Sequence, residues 1–132
     1  MGDMNIWAVL VSGLVYFIFG GVWYAAVFSR QYQEGLGFNE EEKKEAEAAF
    51  PKALATHLVS GLVTAFVMAA FISAGSFMSG VKVGALLWLG FALTINLNYL
   101  MFERRPMTLF TLNNGFFLIA FAIMGGILAI WR

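Results

Sequence analysis

The sequence predicts an all-α fold: a polytopic membrane protein, built as a four-helix transmembrane bundle with a short cytoplasmic helix between spans 1 and 2. Three observations lead there. The 132 residues are 61% hydrophobic and only 12% charged, whereas soluble domains are about half apolar and about a quarter charged. Four apolar stretches each reach the roughly 20 residues that a helix needs to cross hydrocarbon. The charged residues collect in the connections between those stretches and leave the span interiors empty of charge. A soluble fold of this length could not hide so much apolar surface in one core.

The first span runs from about 6 to 28, the second from about 53 to 77, the third from about 83 to 102 and the fourth from about 107 to 131. Residues 1–132 thus form a single membrane domain. The first span does not read as a cleaved signal peptide, because the residues before it carry Asp3 and no Lys or Arg, and its apolar run is too long. Most of the charge lies in the loop 29–52. Asn39 followed three positions later by Glu42 fits a capping box. Glu40 and Lys44 form an i,i+4 pair in the favourable order, so a short solvated helix is expected over about 40–49. Pro51 is expected to break that helix and open the second span.

Orientation follows from the distribution of Lys and Arg. Arg30, Lys43, Lys44, Lys52, Arg104 and Arg105 fall on one side; Lys82 and Arg132 fall on the other. Six against two places the 29–52 and 103–106 loops in the cytoplasm and both termini outside.

Several classes of function drop out. Net charge is zero, with 8 basic and 8 acidic residues, so no basic face invites nucleic acid. There is no cysteine, which removes disulfides, thiolate metal sites and cysteine nucleophiles. His57 is the only histidine, so it has no like partner for a metal site, and no cofactor is expected. No nucleophile–base pair or carboxylate pair points to an enzyme. No acidic residue lies deep in a span, which weakens any proton-relay reading of His57.

The polar residues inside the spans carry the candidate site. Tyr24 lies near the end of the first span, and His57 lies six residues after Pro51. Asn96 and Asn98 precede Glu103 by seven and five residues, and Asn113 and Asn114 follow Pro106 by seven and eight. At about 1.5 Å per residue, all fall in one slab roughly 6–12 Å inside the loop-side edge. Amide and imidazole groups in hydrocarbon must find partners, so the slab is expected to turn inward. It then serves either as interhelical packing or as a polar cavity for a small ligand or ion. The Glu103-Arg104-Arg105 turn reads first as a positive-inside stop signal; at the mouth of a cavity, Glu103 could pair with Arg30 or Lys52, and Arg104 and Arg105 could hold lipid phosphates.

Rows of small residues at four-residue spacing, Gly61, Ala65 and Ala69 on the second span and Gly80 and Gly84 on the third, allow close helix approach within the chain or between copies. A homo-oligomer in the lipid bilayer is expected because four spans build only a weak interior. Trp7, Trp23 and Trp131 read as interfacial anchors.

Two segments carry a family resemblance. They are Gly20-Gly21-Val22-Trp23-Tyr24 with Gly35-Leu36-Gly37, and Asn98-Tyr99-Leu100-Met101-Phe102-Glu103-Arg104-Arg105-Pro106 with Leu109, Asn113 and Gly115. Over nearly its full length the chain resembles the bacterial membrane family known as domain of unknown function 1761. The resemblance implies four spans and a bacterial inner-membrane location, and it brings no catalytic residues.

Two functions remain from the sequence. One is binding or passage of a small ligand or ion through Tyr24, His57, Asn96, Asn98, Asn113 and Asn114. The other is a structural or interaction subunit working through the acidic segment 40–47.

Overall fold

The computed structural model describes residues 4–131; Asp3 and Arg132, which entered the charge reasoning, lie outside them. Asn5 caps the first helix, its side chain accepting the Trp7 amide at 2.9 Å. Helix α1 covers Ile6–Gly21 and continues without a break into a π-helical stretch, Val22–Val27. A short helix α2, Ser29–Leu36, follows and is closed by Gly37 in the left-handed conformation at φ 62°, the residue and geometry that most often end a helix.

Helix α3 is a single helix from Glu40 to Phe71, 32 residues long. Its start is the expected capping box: Asn39 accepts the Glu42 amide at 2.8 Å, and Glu42 accepts the Asn39 amide at 3.1 Å. The expected break at Pro51 does not occur, because the proline lies inside the helix. Proline removes the bond to the carbonyl four residues earlier. The freed carbonyl is that of Glu47, exposed in the charged segment ahead of the span, so water can satisfy it and the helix carries on. The helix also stops earlier than expected, at Phe71, and Ile72–Ser76 make the turn.

Ser76 then caps α4, Phe77–Leu87, by accepting the Ser79 amide at 3.1 Å. Phe77 therefore begins the third span where it was expected to end the second. A second π-helical stretch, Trp88–Leu93, joins α4 to α5, Thr94–Phe102. The Glu103–Pro106 turn leads into α6, Met107–Ile130. Four helical units, Ile6–Val27, Glu40–Phe71, Phe77–Phe102 and Met107–Ile130, are long and apolar enough to cross a membrane, and among the described residues there is no strand. The protein is an all-α, four-span membrane bundle.

The spans pack as an open row. Helix α1 lies between α3 and α6, and α6 lies between α1 and α4, while α3 and α4 are not packed together. The gap they leave is an apolar crevice of about 430 Å³ walled by α3 and the third span, with Phe121 of α6 among its lining residues.

Lipid is as apolar as leucine, so helices in a bilayer associate through close packing and polar contacts more than through hydrophobic burial. Glycines supply that closeness at two crossings. A Cβ on Gly61 would meet the Tyr16 ring and the Gly13 carbonyl, which sets α3 against α1. A Cβ on Gly80 or Gly84 would strike the carbonyl of Gly125 or Phe121, so α4 and α6 touch backbone to backbone. The small-residue rows thus serve contacts within the chain at these positions.

Candidate functional site

The π-helical end of the first span positions the main polar contact. A π turn adds a residue relative to α geometry and re-aims the side chains that follow, and such turns recur at functional sites. Here it carries Trp23 and Tyr24. Trp23 donates its indole N–H to the Leu112 carbonyl at 3.0 Å. Tyr24 donates its hydroxyl hydrogen to Asn113 Oδ1 at 2.6 Å. Two consecutive residues of the first span therefore hold two consecutive residues of α6. Trp23, expected to be an interfacial anchor, is half-buried and acts as an interhelical donor.

His57 approaches from α3. Its ring fills the volume that a Cβ on Gly20 would need, so the glycine before the Trp-Tyr pair is what lets the imidazole seat against α1. The ring packs beside Tyr16, Phe17 and Phe116, at centroid distances of 4.9, 5.6 and 5.9 Å. The backbone of Tyr16 and Phe17 lies close to the ring, and Nε2 completes no well-aligned hydrogen bond.

Phe116, 1% exposed, is the hub. It also touches Tyr16, Phe19 and Tyr24, at 5.1, 5.6 and 5.5 Å. Tyr24 in turn packs on Tyr32 of α2 at 4.7 Å. Burial raises the Tyr32 hydroxyl above the ordinary tyrosine pKa, so it remains a neutral donor near pH 7. Helix α2 is held over this cluster by Gly35, which rests on Leu109 and Thr108 at the start of α6.

The six slab residues do not all converge. Tyr24 and Asn113 meet directly, and His57 joins them through the Phe116 cluster. Asn114 is buried and donates to the Phe110 carbonyl at 2.8 Å, leaving Oδ1 without a partner. Successive helical residues are turned by about 100°, so Asn113 and Asn114 leave α6 in different directions. Asn96 donates to its own helix at Ala92, 2.9 Å away. Asn98 likewise donates to Thr94 at 3.2 Å and is exposed. Tyr24, Asn113, His57 and Asn114 thus lie at least partly buried between helices, whereas Asn98 lies on the exposed side of its helix. Residues 96 and 98 lie about 200° apart on one helix and cannot both face inward.

The turn after α5 is also rearranged. Glu103 pairs with Arg105 at 3.4 Å, and Arg30 pairs with Glu34 at 3.1 Å, so Glu103 bridges to neither Arg30 nor Lys52. Neighbours in sequence win because no long side chain has to be ordered across the loop. Arg105 also lies 4.3 Å above the Tyr99 ring, a cation–π contact. Arg104 is exposed, with φ 52° in the left-handed region.

Among the described residues, no group of three His, Asp or Glu could hold a metal ion. The sequence pointed to Tyr24, His57 and Asn113 but missed Gly20, Trp23 and Phe116. The available signal was the Gly20-Gly21 pair one residue ahead of two large polar aromatics, Trp23 and Tyr24. No curated protein and no solved structure matches the chain. A family model matches residues 7–129, and the chain belongs to the family described as Protein of unknown function (DUF1761).

Proposed function

We propose that this membrane protein binds, or passes, a small polar ligand or ion at the cluster formed by Tyr24, Asn113 and His57, with Asn114 beside it. One observation carries the reading. Among the described residues four polar side-chain atoms are buried without hydrogen-bond partners, and two of them flank the Tyr24–Asn113 pair: Asn114 Oδ1 on the next residue of α6, and His57 Nε2 on the ring that shares Phe116 with Tyr24. Unpaired buried polar groups are costly, and each calls for a reason. A ligand or ordered water that bonds them supplies one. Six of the Lys and Arg residues lie at the loop end of the bundle, which supports a cytoplasmic opening and an inner-membrane setting.

His57 is the only histidine, so carbethoxylation by diethyl pyrocarbonate, read by imidazole absorbance, reports on this cluster alone. In lipid nanodiscs, the reagent is expected to modify native His57. A library of small polar metabolites and ions should contain a compound that slows the modification in the wild type and not in Asn113→Leu. An inert His57, or protection that ignores Asn113, would defeat the reading.

A second reading is supported by a different observation. The first turns of α3, from Glu40 to Thr56, are exposed and run into the second span as one continuous helix. This segment, acidic over 40–47, would serve as a docking element for a partner protein. Replacing 40–47 with a neutral linker should then abolish co-purification of that partner, and retention of the partner would remove this reading.

A further inference from the structure

The third span is the least covered of the four. Only 11% of its most apolar 18-residue window is buried, against 44% for the fourth span. It stands at the edge of the row, and among the described residues its main packing partner is α6. Yet it carries the carboxamide of Asn98 on its exposed side.

That amide is half used. One N–H goes to the Thr94 carbonyl of the same helix. Among the described residues this is the only side-chain hydrogen bond of Asn98, so its second N–H and its Oδ1 are open. The position is five residues inside Glu103, about 7 Å along the helix. There, lipid tails offer neither donor nor acceptor. The neighbours on the same face are Ile95, three residues before, and Phe102, four residues after, 51% and 84% exposed. A 3–4 spacing of large apolar residues around one asparagine is the pattern of a helix–helix seam whose polar residue sets register and copy number.

We infer that this face is a homodimer interface in which two copies pack α5 against α5 and exchange hydrogen bonds between their Asn98 carboxamides. The open groups select the partner. One donor and one acceptor remain, and a two-fold axis along the membrane normal places an identical acceptor and donor opposite them. The face has no charged side chain between Ile95 and Phe102 that would demand a counter-charge from a different protein. The inference is independent of the ligand reading, since Asn98 has no part in the Tyr24–Asn113 cluster.

The chain has no cysteine, so a single introduced thiol reports its own surroundings. In liposomes at varied protein density, Ile95→Cys should form a disulfide-linked dimer on mild oxidation, while Val59→Cys on the exposed side of α3 should not. Energy transfer between donor- and acceptor-labelled chains should show association that Asn98→Leu weakens about tenfold, the loss of two interhelical hydrogen bonds, and that Asn98→Gln largely retains. Helicity, and melting at densities where the wild type is monomeric, should be unchanged in both variants, because the site is exposed within one copy.

Any of four results would overturn the proposal: a monomer at every density, association indifferent to Asn98→Leu, cross-linking through Val59→Cys in place of Ile95→Cys, or capture of a different protein at position 95.

Discussion

Tyr24 and Asn113 are 89 positions apart in the chain, and their side-chain oxygens lie 2.6 Å apart. This bond ties the π-helical end of the first span to α6, next to the parallel bond from Trp23 to Leu112. Interhelical hydrogen bonds in membranes average about 0.6 kcal/mol, with a measured maximum near 1.7. Tyr24→Phe and Asn113→Leu are each expected to lower the unfolding free energy by about 1 kcal/mol, and the double variant should cost less than the sum. Reversible unfolding in mixed micelles measures the cycle. Strict additivity would mean the bond contributes nothing.

Gly20 and His57 compete for one volume. Gly20→Ala places a methyl group where the imidazole sits, and overpacking of this kind costs about 1–3 kcal/mol. The cost should largely vanish when His57→Ala is added, because the ring that clashes is gone. If Gly20→Ala costs the same in both backgrounds, some contact other than His57 fixes the glycine.

The α4–α6 crossing should be the least tolerant place in the molecule. Gly84→Val pushes side-chain atoms into the Phe121 carbonyl and is expected to cost about 2 kcal/mol or more. Gly21 offers the control. It has helical backbone angles, φ −59° and ψ −47°, and nothing within 4 Å of an added Cβ. Gly21→Ala should therefore stabilise by about 0.5–1 kcal/mol. Melting of the two variants side by side reads the contrast, and equal effects would show that neither depends on the helix contact.

Arg104 holds φ 52° without being glycine, a conformation that costs an ordinary residue about 1 kcal/mol. Arg104→Gly should raise stability by up to about 1 kcal/mol, whereas Arg104→Ala should leave it near the wild-type value. The same melting assay separates relief of backbone strain from loss of the guanidinium. A stabilising alanine would point to charge repulsion instead.

The sequence alone determined the class, the number of spans and the capping box at Asn39. These depend on composition and on spacings of three or four residues, which a chain reports whatever its neighbours. It also picked out Tyr24, His57 and Asn113, because amides, phenols and imidazoles cannot lie in hydrocarbon unpaired. Tertiary structure decided which of those groups meet. The two π-helical stretches re-aim the residues around them, and a hydrophobic pattern contains no trace of one added residue in a turn. Pro51 stayed inside a helix because its surroundings are water, a property of place and not of proline. Asn98 was grouped with the inward slab on depth alone, but facing depends on helical phase and on which neighbour occupies each side. The open row of spans supplies α5 with a neighbour on one side only, and that arrangement follows from backbone contacts between glycines distant in the chain.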